Sequence, residues 1–403
     1  ITGITKEGKH ITLLDCSCCN SSLNFPGIDQ YSYTARVIVI GIILESNQYL
    51  LFNSLSFKCT HLEYWINRSG LDITGTIIDS NQFDIQYCRP QSLKFTLPND
   101  YKLSIKSGIN KNSKFKEIHL KEQDWITIEP PEEKDIDTLL DVVNHLRDFL
   151  SLVIGEPVYI TQLDGKSELA TRDINGEKYY KSINIALSKI QQPKKQKYKS
   201  PLLPLAEIED ELESILKSWF DCKNIIEPVI NLYFYTLYKE VINLQGDFLF
   251  LTQAVETYHR RTSAEKEYSK QEHNYHLQEI LESVPAKYQD WLKDKLKYSN
   301  ELNLRQRLKK IIDRFWDIFG DYIHRNKFTN KVVNTRNYLT HYDPELEDSA
   351  ISEVPDLLDL IYKLRTILEV CFLNEINISD EKIAKVIQPK IQERKQVVQM
   401  NRK

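Results

Sequence analysis

The stretch QQPKKQKYKSPLLP, residues 191–204, separates two halves of the sequence that differ in hydrophobic pattern. Prolines, polar residues and lysines occupy it, and no apolar periodicity passes through it. Such a composition is typical of an exposed linker, which we predict at residues 191–203. The lysines are candidates for contacts with phosphates, but a solvated connector is the more common role of such charge runs.

The half before this linker has the pattern of a β-rich domain. Runs of β-branched and aromatic residues recur between Asn, Asp, Ser and Gly, and apolar residues from Ile136 to Val153 follow the three- and four-residue steps of a helix. We therefore predict an antiparallel, sandwich-like or barrel-like domain over residues 1–190. The predicted strands lie in DITGTIID (72–79), FDIQYC (83–88), SLKFTL (92–97), DWITIE (124–129), PVYITQL (157–163) and YYKSINIAL (179–187).

After the linker, the apolar residues follow a period near 3.6, which predicts an all-α helical bundle over residues 204–378. The fold class is therefore α+β, with the β-rich domain first. Residues 379–403 are predicted to form a basic tail, which either contacts a nucleic-acid backbone or, as is more usual for a terminus, frays into solvent. The cations of this tail are Lys390, Arg394, Lys395, Arg402 and Lys403.

Composition excludes several classes of protein. A hydrophobic content of 41% with only 12 glycines and 14 prolines excludes disordered and collagen-like chains, and no glycine-rich phosphate loop is present. The formal net charge of -4 means that any contact with nucleic acid must use a local basic patch.

Features of the chain also indicate its compartment. The seven cysteines and the lack of a signal sequence predict reduced thiols and a cytoplasmic location. The longest apolar run, VIVIGIIL at 37–44, is too short to cross a bilayer, so we predict no membrane contact. Because the chain starts at Ile1 and its single methionine is Met400, we expect the native start to precede it.

Cysteines near the N-terminus raise the question of a metal site. Cys16, Cys18 and Cys19, with Cys59 and His61 later in the chain, are residue types that bind zinc, but their spacing is shorter than in structural zinc sites. We therefore predict no metal and no cofactor, and interpret the cysteines as small buried side chains.

The segment NTRNYLTHYDP, residues 334–344, carries the main candidates for catalysis. A guanidinium that stays charged and an imidazole that titrates near neutrality, here Arg336 and His341, can cleave RNA without a metal. Asn337 and His341 are four residues apart and share a helix face, whereas Arg336 and His341 are about 140° apart around the helix. An Arg and a His at this spacing occur by chance, and His341 could simply be a cation at a helix C-terminus.

A second polar set lies in LTQAVETYHRR, where Glu256, His259 and Arg260 follow one another at helical spacing. If these side chains are buried, they need partners, and they are then candidates to support the site. The alternative is an exposed set of ion pairs on a helix surface.

These residues resemble the signatures of a known family. Arg336, Asn337 and His341 are similar to the Arg-polar-His signature of HEPN ribonucleases and do not depart from it. AVETYHRRT (254–262) resembles the Glu-x-x-His-Arg helix of the ApeA-like HEPN branch, and RQRLKKII (305–312) also fits that branch. RVIVIGII (36–43) and HLEYWI (61–66) are similar to segments of the N-terminal domain in ApeA-type proteins.

The resemblance implies a metal-independent endoribonuclease of bacterial anti-phage defence by abortive infection, active as a homodimer through its HEPN domains. It implies that His341 acts as general base or acid, Arg336 stabilises the transition state and Asn337 orients one of them. RNA is then the substrate, and we expect a resting state that a phage-derived trigger releases through the β-rich domain.

Two alternatives stay open. One is a non-catalytic HEPN-type module for helical dimerisation or RNA binding. The other is a metal-dependent hydrolase that uses the N-terminal cysteines.

Overall fold

The computed structural model describes residues 1–22, 24–45, 48–74, 84–187, 200–239 and 241–402. It contains two compact units, Ile1–Phe220 and Asp221–Lys403. The α+β class is confirmed, because the strands belong to the first unit and the second is helical. Most of the predicted linker, at 191–199, and most of the strand predicted at 72–79 lie outside the described residues.

Antiparallel strands build the first unit. The described strands are β1 (Thr2–Ile4), β2 (His10–Ser22), β3 (Gln30–Ile40), β4 (Ser54–Cys59), β5 (Leu71–Thr74), β6 (Asp84–Tyr87), β7 (Leu93–Thr96), β8 (Lys102–Lys114), β9 (Glu117–Glu129), β10 (Ile160–Lys166), β11 (Thr171–Ile174), β12 (Glu177–Tyr180) and β13 (Ile183–Leu187). Nine of them form one sheet in the order β1-β2-β3-β13-β10-β4-β9-β8-β7, and the other four form two separate hairpins, β5-β6 and β11-β12.

Two helices lie within the same unit, α1 (Leu62–Ile66) and α2 (Ile136–Ile154). The helix predicted at 136–153 is thus confirmed, and its ends have local causes. The Asp135 side chain accepts a hydrogen bond from the Thr138 amide at 2.9 Å, and Gly155 ends the helix in the left-handed conformation that glycine adopts without strain.

The first unit extends further along the chain than the predicted boundary. Trp219 is fully buried, its indole donates to the His145 carbonyl at 2.9 Å, and the His145 ring donates to the Trp219 carbonyl at 3.0 Å. The Trp65 indole likewise donates to the Leu203 carbonyl at 3.0 Å. Residues 204–220, which the periodicity assigned to the bundle, therefore pack within the first unit up to Phe220.

Helices build the second unit. The described helices from here on are α3 (Leu212–Tyr238), α4 (Leu244–Thr262), α5 (Lys270–Glu282), α6 (Ala286–Lys295), α7 (Leu304–Arg314), α8 (Trp316–Phe319), α9 (Arg325–His341), α10 (Val354–Glu375) and α11 (Asp380–Asn401). Residues 221–238 of α3 belong to the second unit, in which α4, α7, α9, α10 and α11 pack against one another. No described helix of either unit is long and apolar enough to span a membrane.

The prediction that the basic segment at 379–403 frays into solvent was wrong, whereas contact of its cations with a nucleic-acid backbone stays a prediction. Asp380–Asn401 form the helix α11, whose apolar side chains pack on α10 and α8. Arg394 is buried and forms hydrogen bonds of 2.7 Å to both carboxylate oxygens of Glu369, and Lys390 lies 2.9 Å from the same carboxylate. The basic residues were misjudged because their partners lie on another helix.

Candidate functional site

Helix α9 positions the residues predicted to be catalytic. Phe328, Val332 and Leu339 are buried at helical spacing, and this stripe faces α4 and α7. Arg336 and Asn337 flank the stripe and are half-buried. Because α9 ends directly after His341, where Tyr342 adopts the left-handed conformation, that histidine occupies the last turn of the helix.

A pocket of about 460 Å³ forms where α4, α7 and α9 contact one another. Its size is in the range of small-ligand sites. Polar and charged side chains from four segments line it. They are Glu256, Arg260, Glu301, Asn303, Arg305, Arg336 and Asn337.

The pocket brings together Arg336 and Asn337 with two members of the second polar set, Glu256 and Arg260. Arg336 Nη1 donates to Asn337 Oδ1 at 3.1 Å, and no carboxylate of the described residues pairs with Arg336. Arg336 therefore forms no ion pair with the described residues. Its charge is available to an anion in the pocket.

His341 lies apart from this pocket. It is exposed, does not line the pocket wall, and its side chain makes no hydrogen bond or ion pair with a described residue. It is five positions after Arg336, which corresponds to about 7.5 Å along the helix axis and about 140° around it. One chain thus presents the guanidinium and the imidazole on different sides of α9.

His259, the third member of the second polar set, is buried behind the pocket with 5% of its surface exposed. Its Nδ1 lies 3.3 Å from Arg307 Nη1. Since a guanidinium can only donate, Nδ1 accepts, and the neutral ring carries its proton on Nε2. Burial and the neighbouring Arg307 charge both lower the pKa of His259, which favours this neutral form.

Arg307 is the centre of this buried arrangement, with 1% of its surface exposed. Besides His259, it donates to the Leu302 carbonyl at 2.8 Å and lies 3.2 Å from Glu301. Glu301 also pairs with Lys266 and lies 3.5 Å from Arg260, which is 3.2 Å from Glu256. The charges thus form one connected network from the interior to the pocket wall.

Arg307 and Glu301 were not predicted from the sequence as members of the candidate site. For Arg307 a signal existed, because it shares helical spacing with Leu304, Leu308 and Ile311, all of them buried. A cation in an apolar stripe needs a buried partner. For Glu301 there was no local signal, since it lies before the helix and acquires its partners only in the fold.

The N-terminal cysteines do not assemble into one site. Cys16, Cys18 and Cys19 lie on β2 and Cys59 on β4, and three strands separate β2 from β4, or about 19 Å at the usual strand spacing. Within the described residues no group of three or more His, Cys, Asp or Glu could hold a metal. Cys59 is buried as expected, but Cys18 and Cys19 are exposed, so that interpretation was wrong for them.

Comparison with known proteins agrees with these two units. The family model described as ApeA N-terminal domain 1 matches residues 1–219, and the one described as Apea-like HEPN matches residues 249–382. No curated protein and no solved structure shows significant similarity to the chain. The first match covers more than half of the sequence, and the second covers α9 and most of α4. The chain therefore belongs to the ApeA-like HEPN proteins.

Proposed function

We propose that this protein is a metal-independent endoribonuclease that acts in anti-phage defence through abortive infection. One observation carries the proposal. Helix α9 bears both an Arg336 without a carboxylate partner and a His341 whose side chain has no hydrogen-bond or ion-pair partner among the described residues. Structural arginines and histidines in this unit, such as Arg307 and His259, are buried and bonded. Arg336 and His341 are not used by the fold in this way.

In the proposed reaction the ribose 2'-oxygen attacks the neighbouring phosphorus and the 5'-oxygen leaves. His341 takes the proton of the 2'-hydroxyl or returns one to the 5'-oxygen, and Arg336 stabilises the negative charge that develops on the phosphoryl oxygens. Asn337 accepts from Arg336 and orients its guanidinium. The products are a 2',3'-cyclic phosphate and a 5'-hydroxyl end.

A homodimer would resolve the separation between the pocket and His341. One imidazole cannot be base and acid in the same step, whereas two protomers supply two imidazoles. Exposure of His341 at the end of α9 is compatible with such a meeting across an interface. A resting state that a phage-derived trigger releases would then be an arrangement of protomers that keeps these groups apart. RNA cleavage in uninfected cells at native expression would contradict this gating.

The test is to incubate purified protein with total cellular RNA in EDTA and to map the cleavage ends. Wild-type protein should give discrete cuts with 5'-hydroxyl ends, and both His341→Ala and Arg336→Ala should lose at least about 100-fold in rate. His119→Ala and Arg172→Ala are matched controls, because these side chains are exposed on β9 and β11 and are expected to leave the rate unchanged.

Equal cleavage by wild-type and His341→Ala protein would show that His341 is not catalytic. A lack of cuts from all variants, repeated in lysate of infected cells, would favour the non-catalytic HEPN module. Activity that EDTA abolishes would favour the metal-dependent hydrolase.

A further inference from the structure

The arginines around the 460 Å³ pocket differ in how their charges are compensated. Arg260 pairs with Glu256 and Glu301, and the buried Arg307 pairs with Glu301. Arg305 lines the same pocket, is half-buried, and has no hydrogen bond or ion pair from its side chain to a described residue. After Arg336, it is the second cation of the pocket lining that has no carboxylate partner within the described part of the chain.

The acidic side chains of the wall cannot supply the missing compensation. Glu301 already forms ion pairs with Arg260, Lys266 and Arg307. The hydrogen bond from Lys266 lowers the pKa of Glu301, so its carboxylate is ionised and already neutralised by these cations. Glu256 is used by Arg260. The buried Arg307 holds Glu301 in place. Arg260 and Arg307 therefore stay paired with carboxylates, whereas Arg305 and Arg336 stay unpaired among the described residues.

Two unpaired guanidinium groups on one concave wall fit a ligand with two separate anionic groups. A guanidinium binds a phosphate through two parallel hydrogen bonds, and this geometry is specific to arginine. A polynucleotide strand provides phosphates at regular spacing along one backbone, so a strand whose reacting phosphate lies at Arg336 brings a neighbouring phosphate to the same pocket.

We propose that Arg305 is a substrate-binding residue that holds a phosphate of the RNA strand other than the one attacked. This proposal rests on the proposed ribonuclease function for its substrate, and it adds a subsite that the catalytic residues do not include. Arg305 contributes to binding of substrate and transition state alike, so its loss raises KM and leaves kcat in place.

The experiment measures binding and cleavage separately. Binding is followed by fluorescence anisotropy with a short labelled 2'-O-methyl RNA strand, which lacks the attacking hydroxyl and is not cut. Arg305→Gln should weaken binding about tenfold and reduce the slope of log affinity against log salt by about 0.7, as loss of one contact to a single-strand phosphate predicts. Arg305→Lys should lose less affinity for the strand, since it keeps the positive charge. Arg172→Gln, a variant of an exposed arginine in the first unit, is the control.

The outcomes distinguish the subsite from the ribonuclease. If the wild type cuts RNA and Arg305→Gln binds the uncut strand as tightly as the wild type, with an equal melting temperature, the proposed role of Arg305 is wrong. The proposed ribonuclease activity is then still supported. If Arg305→Gln weakens binding in the expected way but the wild type cuts nothing, also in lysate of infected cells, the contact between Arg305 and an RNA phosphate is supported and the proposed ribonuclease activity is wrong. A wild type that does not bind the strand would overturn the subsite.

Discussion

Among single residues, His259 shows how a neighbouring arginine determines the charge state of a histidine. The ring accepts a hydrogen bond from a guanidinium that stays charged, and it is almost fully buried. Protonation would place a second cation against Arg307 in a poorly solvated site. His259 therefore acts in the fold as a neutral acceptor, and its role differs from that of the exposed His341.

This arrangement makes stability depend on pH. Because the pKa of His259 is lowered in the folded state, the unfolded chain binds a proton more readily. The stabilising contribution is complete above the ordinary histidine pKa of about 6.5 and is lost as the pH falls below it toward the folded pKa. We expect the melting temperature of the wild type to fall between about pH 7.5 and pH 5.5, and the fall to be smaller in His259→Gln.

Thermal unfolding monitored by circular dichroism across this pH range measures the difference. His119→Gln is the control, because this exposed histidine should leave the pH dependence of the wild type unchanged. Equal slopes in the wild type and in His259→Gln would show that His259 is not the group responsible.

At the scale of secondary-structure elements, α11 is part of the core of the second unit. Ile383, Ile387 and Ile391 are buried at four-residue steps, and Arg394 continues this face to the Glu369 carboxylate on α10. Both members of this ion pair are buried, and the attraction of Arg394 keeps the pKa of Glu369 below its ordinary value despite the cost of burial. A helix with such contacts is not a frayed terminus.

Truncation of a single α11 side chain should therefore cost stability. Ile387 is 0% exposed, so Ile387→Ala is expected to lower the free energy of unfolding by about 2 to 4 kcal/mol through lost burial and a cavity. Gln396→Ala, an exposed position of the same helix, should change it by less than about 0.5 kcal/mol. Urea denaturation of both variants measures these values, and a loss below about 1 kcal/mol for Ile387→Ala would mean that α11 frays as a tail does.

At the scale of the whole molecule, the proposed site is complete only if two chains meet. In that case the active fraction is the dimeric fraction, and well below the dissociation constant this fraction falls in proportion to concentration. We expect the rate per chain to fall about tenfold for each tenfold dilution in that range. An excess of His341→Ala chains should also inhibit the wild type, because mixed dimers lack one imidazole.

RNA cleavage over a dilution series, with sedimentation velocity on the same samples, measures both quantities. An excess of His119→Ala chains, which retain His341, should not inhibit RNA cleavage by the wild type. A rate per chain that stays constant while the protein is monomeric would contradict the requirement for two chains.

Much of the fold and part of the candidate site can be predicted from sequence alone, because they depend on local pattern. Alternation and helical period separate the β-rich half from the helical half. Asp135 and Gly155 cap the two ends of α2. Arg336 and Asn337 are recognised from their motif. Glu256 and Arg260 were also named from helical spacing, and the pocket contains both. These features involve residues within a few turns of one another.

Tertiary structure decided the features that depend on distant partners. His259 and Arg307 are 48 residues apart, and Trp219 and His145 are 74 apart, so neither the neutral histidine nor the boundary at Phe220 can be inferred from local periodicity. The packing of α11 depends in the same way on Glu369. Whether a charged side chain is solvated, buried with a partner or left available in a pocket depends on which elements pack around it, and only the folded chain determines that.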